Sequence, residues 1–394
     1  MFEALKPLPA DPILGLSAAF REDSNPDKID LGVGVYKDES GATPIMAAVN
    51  KAEALRLEGE TTKTYQSPAG DPVFDQAIAE LLLGDIVSDG RVATAQAPGG
   101  TGGLRIAAGL IQRSNPGATV WLSKPTWANH RPVFEAAGLA VQEYPYYSAE
   151  TRGVDFEAMS RTLRQLGPDD VVVFHGCCHN PTGADLSDEQ WQTVGEITQD
   201  RGYFPLIDIA YQGFGRGLEE DAFGVRCLAR QVPELIAVSS CSKNFGLYRE
   251  RTGAVCLVSA DRQRRDQALQ HLLNVARATY SMPPAHGAAI VSCILGDAKL
   301  RGEWEAELAQ MCARMNDCRK LLADRLGEAG LGDVFDHIRG QLGMFSYLGV
   351  SVEQVRRLRD EFGIYMVDSS RVNIAGVNQQ NLGYLAEALV AVSD

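Results

Sequence analysis

Nowhere does the sequence carry an uncharged apolar run approaching the roughly 18 residues of a membrane-spanning helix, so no such span is expected. Basic residues are also scarce, 37 Lys and Arg against 51 Asp and Glu, for a net charge of −14. That balance argues against a nucleic-acid or anionic-membrane partner, which needs a basic surface, although local positive patches remain open. The eight cysteines form no Cys-x-x-Cys pair, only the neighbours Cys177 and Cys178, and Met1-Phe-Glu-Ala does not begin a secretory or transit pattern. Reduced thiols in a cytoplasm are the expectation. Internal repeats, low-complexity segments and flexible linkers are likewise lacking. What remains, 394 residues with 45% hydrophobic and 22% charged content, describes an ordinary globular chain with room for a major core and a smaller second domain.

Prolines 7, 9 and 12 prevent a continuous helix over Met1–Pro12, which reads as an extended arm. A helical piece from Ile13 to Arg21 precedes a strand-like Ile29–Tyr36, whose Gly32 and Gly34 serve either a bend or a close approach of backbone to ligand. Helical patterns over 44–60 and 73–83 flank a polar loop carrying Tyr65. From Val92 the chain reads as strand, glycine-rich turn and helix to about Ile111. The glycines and the helix N-terminus there suit an anion, yet the segment is neither a Walker loop nor Gly-x-Gly-x-x-Gly.

Alternating strands and helices then indicate an α/β layer with a largely parallel sheet. Strands at 120–123, 171–174, 205–208 and 235–238 run into Trp127 and His130, into His175-Gly-Cys-Cys-His-Asn180, into Asp208 and Tyr211, and into Ser240-Cys-Ser-Lys243. Ligands of open α/β sheets bind outside the carboxyl ends of strands, so these four ends should converge. Further helices are expected over 261–279, 302–326, 352–361 and 381–392, with a strand over 362–367 ahead of Arg371.

By itself the Lys243 stretch fits a solvated loop lysine as well as a held catalyst. Taken with the other strand ends, an anion cradle, an aspartate, a tyrosine, an asparagine, a tryptophan and a lysine suggest a phosphorylated aromatic aldehyde held covalently by the lysine. Pyridoxal phosphate needs that set: a lysine for its aldehyde, a carboxylate for its ring nitrogen, and N–H groups with an arginine for its phosphate. Lys243, Asp208, Gly99–Thr101 and Arg251 can supply them.

The sequence resembles the fold-type I aminotransferases, specifically the aspartate and aromatic amino acid branch of subgroup I, over essentially its whole length. The resemblance is carried by Asp11-Pro-Ile-Leu, Leu31-Gly-Val-Gly-Val-Tyr-Lys-Asp, Pro98-Gly-Gly-Thr-Gly, His175-Gly-Cys-Cys-His-Asn-Pro-Thr-Gly, Ile207-Asp-Ile-Ala-Tyr-Gln-Gly-Phe, Ser242-Lys-Asn-Phe-Gly-Leu-Tyr-x-Glu-Arg, Tyr280-Ser-x-Pro-Pro and Arg371-Val-Asn-Ile-Ala-Gly. It implies a three-layer large domain with a mostly parallel sheet over 44–310. It also implies a smaller α/β domain built from both chain ends, 13–43 and 311–394, after an arm over 1–12.

The same resemblance implies a pyridoxal 5′-phosphate transaminase in which Lys243 is covalent partner and general base, Asp208 keeps the ring nitrogen protonated, and Tyr211 and Asn180 meet the phenolic oxygen. Trp127 would stack on the ring, His130 would support Asp208, and Gly100, Thr101, Ser240, Ser242 and Arg251 would hold phosphate. Arg371 would grip the substrate α-carboxylate, assisted by Asn180 and the Gly34 backbone, beside Trp127. Tyr65 and Arg277 would reach the neighbouring subunit's site, making a homodimer with shared active sites. Without the resemblance, Arg277 reads as a cation at a helix C-terminus.

Substrates would be aspartate, aromatic amino acids or both, with 2-oxoglutarate. Arg277 suits acidic substrates, but both branches retain it. An aromatic-preferring transaminase is the alternative, with a non-catalytic amino-acid sensor or a lyase of the same fold further off. His175, Cys177, Cys178 and His179 have a metal-like look, but adjacent side chains rarely converge on one ion, so no metal is expected. Cys241 reads as a small packed residue rather than a nucleophile.

Overall fold

The computed structural model describes residues 1–7 and 12–393, and the chain forms two compact units. The larger comprises Pro44–Arg314 with Gln341–Gly343, and the smaller Met1–Thr43, Met315–Gly340 and Met344–Asp394.

Seven strands organise the larger unit: β1 (Val92–Pro98), β2 (Thr119–Lys124), β3 (Ala140–Pro145), β4 (Asp170–His175), β5 (Phe204–Ile209), β6 (Leu235–Ser240) and β7 (Thr252–Val258). They stand in the order β1-β7-β6-β5-β4-β2-β3, and only β7 runs against its neighbours. β6 and β7 are buried along their whole length, as expected of strands covered on both faces. Register aligns the functional ends: His175 pairs with Asp208, Asp208 with Val238, Ser240 with Gly253, and Thr252 with Pro98. The return strand β7, absent from the sequence-based expectations, thereby sets Arg251 beside the ends of β1 and β6.

From Pro98 the chain passes directly into a helix, Gly99–Ser114. Gly99 has φ +70°, and a Cβ there would overlap the Arg251 guanidinium. Gly103 lets the helix lie close on the sheet, since its Cβ would press on Val238 and Val255. A second helix, Arg262–Thr279, packs alongside through Val275 against Gly109, and Asp261 caps its start by accepting from Arg264 N–H.

In the smaller unit Ile29–Asp30 pairs in parallel with Ile364–Tyr365, and Phe345–Tyr347 pairs antiparallel with Arg371–Asn373. Expected strands over 29–36 and 362–367 are thus each reduced to two residues. In the first, Asp30 Oδ1 accepts from Gly32 N–H at 3.0 Å and Val33 N–H at 3.4 Å, turning the chain out of the ladder. In the second, Gly363 takes φ +65° to end the helix Val352–Phe362, so a strand can begin only after it. The helices expected from Ile13 and Gly302 span Pro12–Glu22 and Ala298–Leu326. In the expected arm, Phe2–Ala4 form a 3-10 turn, while residues 8–11 lie outside the described residues. Among the described residues no helix is long and apolar enough to cross a membrane.

Candidate active site

At the carboxyl ends of β1, β4, β5 and β6 the larger unit holds a cavity of about 200 Å³. Its lining brings together ten residues singled out in the sequence: Gly100, Thr101, Trp127, Asn180, Asp208, Tyr211, Ser240, Ser242, Lys243 and Arg251. It also includes Leu104, His175, Cys177 and Ala210. Of these, His175 and Cys177 were weighed in the sequence as metal ligands, and His175 also stood at a strand end there without a role. Its place at the end of a buried strand was the available signal.

Lys243 lies three residues beyond β6. Its loop is fastened from behind by Phe245, stacked on Trp304 with centroids 4.4 Å apart, and by Trp304 Nε1 donating to Asn244 O at 2.7 Å. Cys241 is buried, and burial pushes its thiol pKa up, in keeping with a packing role. The lysine Nζ stands 4.8 Å from the Tyr211 ring centroid. Desolvation lowers its pKa to about 8 and Arg251 adds to that effect, while Asp208 opposes it.

Facing it, Asp208 is 7% exposed. Burial alone would raise its pKa, but the hydrogen bond from His130 and the charges of His130, His175 and Lys243 outweigh that, and the carboxyl is held below its ordinary value. His130 Nε2 is 3.1 Å from Asp208 Oδ2, and His130 Nδ1 is 2.8 Å from Thr126 Oγ1. His130 is therefore fixed behind the carboxylate rather than in the cavity lining, with Trp127 edge-on to it at 5.3 Å. His175 is 5.0 Å from His130 between ring centroids, and burial drives its pKa down to about 3.

Donors face the cavity on another side. Gly100 and Thr101 open a helix with no acidic residue in its first turn. Ser240 Oγ and Ser242 Oγ are 3.1 Å apart, and Arg251 Nη1 reaches Ser242 Oγ at 3.4 Å and Tyr248 O at 2.9 Å. Arg251 adopts φ +52°, and no carboxylate pairs with it among the described residues. An anion-accepting corner results.

The family pattern described as aminotransferase class I and II matches residues 26–389. The chain belongs to the class I and II aminotransferase family. It is 52% identical to the aspartate aminotransferase of Salmonella typhi and 49% identical to the aromatic-amino-acid aminotransferase of Paracoccus denitrificans, with 100% of each chain covered in both cases. A crystal structure of the aromatic-amino-acid aminotransferase from Burkholderia pseudomallei, covalently bound to pyridoxal phosphate, superposes with a TM-score of 0.98 at 44% identity, again covering 100% of both chains.

Other singled-out residues of this aminotransferase lie elsewhere. In the smaller unit Arg371 is 7% exposed, its guanidinium carbon 4.2 Å from the Phe345 ring centroid and its Nη2 donating to Gly32 O at 2.7 Å. Gly34 is packed so tightly that a Cβ would come 2.9 Å from Phe345 Cζ, and Asn373 Nδ2 donates to Val33 O and Val35 O, both at 2.7 Å. Tyr65, 87% exposed, and Arg277, exposed in the last turn of its helix, are not in the cavity lining.

Of the four metal-like residues, His175 and His179 stay in edge contact with ring centroids 4.1 Å apart, while Cys177 and Cys178 form a separate pair. His179 is held by Ser123 and Thr182, and His175 groups with His130 and Asp208. Cys177 and Cys178 sit instead near Asp221, whose carboxylate accepts from Gly213, Gly215 and Arg216 N–H groups.

Proposed function

We propose that the chain is a pyridoxal 5′-phosphate-dependent transaminase that moves an amino group between aspartate or an aromatic amino acid and 2-oxoglutarate in two half-reactions. The observation that carries this reading is a lysine amine with its pKa lowered to about 8, in a cavity with a buried carboxylate on one side and an anion-accepting corner on another. The donor set fits the cofactor. Gly100 and Thr101 N–H groups, the Ser240 and Ser242 hydroxyls and Arg251 suit its phosphate, Asp208 its ring nitrogen, Asn180 and Tyr211 its phenolic oxygen, and Trp127 its ring face. When bound, the cofactor supplies an electron sink for negative charge developing at the substrate Cα.

Lys243 would hold the cofactor through its aldehyde carbon, and its amine, when free, would be the group that takes up or gives back a proton beside the substrate Cα. A pKa near 8 leaves roughly a tenth of the amine neutral at pH 7 and able to act as a base, far more than an ordinary lysine would offer. Asp208, kept anionic by His130, stabilises a proton on the ring nitrogen. Arg371 would take the α-carboxylate through two parallel N–H donors, and Asn180 and the Gly34 backbone would each offer that carboxylate a further donor. Arg277 meets a distal carboxylate, and Tyr65 the phosphate, each in the site of a second copy of the chain.

That homodimer is supported by exposed Ile45, Leu55, Leu57 and Val73 in the same part of the sequence as Tyr65, apolar surface that a partner would cover. The larger unit acts as the cofactor domain and the smaller as the substrate-gripping domain, in a cytoplasmic enzyme. Comparing kcat/KM for aspartate, phenylalanine and tyrosine with 2-oxoglutarate as acceptor tests the reading. Transfer from at least one of the three is expected. Cofactor-loaded protein that transfers from none would overturn it.

A further inference from the structure

The larger unit contains a second cavity, at the opposite ends of its strands. It measures about 760 Å³, several times the first and within the range of sites for small organic ligands. Val171, Phe204 and Leu235 lie at the starts of β4, β5 and β6 there, Val171 as the second residue of β4, and Leu257 lies near the end of the antiparallel β7. Leu110 and Ile111 line it from the far end of the helix whose first turn borders the first cavity. Val171, Leu235, Leu257, Leu110 and Ile111 are all buried, so the floor is apolar and built into the core.

The rim has a different chemistry. Arg264 and Glu234 both line the cavity, with Arg264 Nη1 and Glu234 Oε1 4.0 Å apart. Their side chains are 64% and 41% exposed, so the pair is loose and open to water. Arg264 is held in place from its other side, where Nε is 3.7 Å from Asp261 Oδ2 and its backbone N–H donates to Asp261 Oδ1 at 2.8 Å. Gln267 and Gln270 add amides along the same helix. An exposed cation and a carboxylate thus stand side by side over an apolar recess, the complement of a molecule with an ammonium, a carboxylate and an apolar body.

We propose that this cavity is a second binding site for an amino acid with a large apolar side chain. The side chain enters the recess, the carboxylate takes Arg264, and the ammonium takes Glu234. The two charged contacts replace a water-exposed ion pair of little net value, while the apolar body leaves water. The site shares no lining residue with the first cavity, so it stands or falls independently of the proposed reaction.

The probe is 2-aminoindane-2-carboxylic acid, an apolar amino acid with no α-hydrogen, titrated into the full-length protein by calorimetry. Indane-2-carboxylic acid and 2-aminoindane, each lacking one charge, serve as comparisons. The expected result is one saturable site per chain in addition to any binding at the first cavity, and that additional site is weakened about tenfold or more when either charge is removed from the ligand or by Arg264→Gln or Glu234→Gln. Ala268→Trp, which fills the recess, should abolish it while leaving KM for the transferred amino acid unchanged. Because Arg264 and Glu234 are exposed, their variants keep the test available if Ala268→Trp does not fold. No binding, binding indifferent to the rim variants, or equal binding of the single-charge analogues would overturn the proposal.

Discussion

His130 Nε2 lies 3.1 Å from Asp208 Oδ2, and that contact helps to hold the carboxyl below its ordinary pKa although burial pushes the other way. A depressed carboxyl contributes stability that is present above its unfolded pKa of about 3.9 and lost as pH falls through the folded value. His130→Ala removes the donor, so the folded pKa of Asp208 should rise. The acid limbs of activity and of cofactor retention should then move to higher pH, with kcat/KM near neutrality down about tenfold, equivalent to ~1.4 kcal/mol. Parallel pH profiles of variant and parent check this; superimposable acid limbs would contradict it.

Asp75 provides the opposite sign. It faces inward from the helix Pro72–Leu83, its Oδ1 has no partner, and burial, with the charge of Asp71, raises its pKa to about 8. A raised carboxyl binds its proton more tightly in the folded state, so stability declines as pH rises from about 4 to about 8. Asp75→Asn should therefore be stabilising at pH 8, by roughly 2 kcal/mol or a few degrees in Tm, and nearly neutral at pH 4. Thermal unfolding at both pH values measures the difference, and an equal effect at each would refute the assignment.

How much of this was readable beforehand differs by residue. Lys243, Asp208, Asn180 and Trp127 were legible because each ends or follows an apolar strand, a local pattern. The meeting of His175 with His130 was not, because it depends on the β4–β5 register that pairs His175 with Asp208. The role of β7 escaped because an apolar run such as Thr252–Val258 does not declare its direction, and its antiparallel return sets Arg251 in place. Asp75 left a clearer trace: Ile78, Ala79 and Leu82 follow it at helical spacing, marking a polar residue on a buried face.

Arg371 and Arg277 should separate in their kinetics. Arg371→Lys keeps the charge but loses the two-pronged geometry, and kcat/KM should fall at least tenfold for every amino acid. Arg277→Leu should lower kcat/KM for aspartate by a similar factor while sparing phenylalanine. Steady-state kinetics with both substrates decide between this outcome and equal losses, which would mean the arginines do not divide the work.

Gly99 tests the anion-accepting corner. A side chain at φ +70° is strained, and its Cβ would overlap the Arg251 guanidinium. Gly99→Ala should displace Arg251 and weaken cofactor binding about tenfold, measured by retention of pyridoxal phosphate during dialysis. Unchanged retention would show that Arg251 is not needed in its present position.

The central claim is that Lys243 is the residue to which the cofactor is joined. Reduction of cofactor-loaded protein with borohydride, followed by peptide mass spectrometry, reads the site of attachment directly. The account predicts a pyridoxyl-phosphate adduct on Lys243, with Lys243→Ala folded but lacking both the adduct and the visible absorption of the parent. A stoichiometric adduct on another lysine, or an unchanged spectrum in Lys243→Ala, would contradict it.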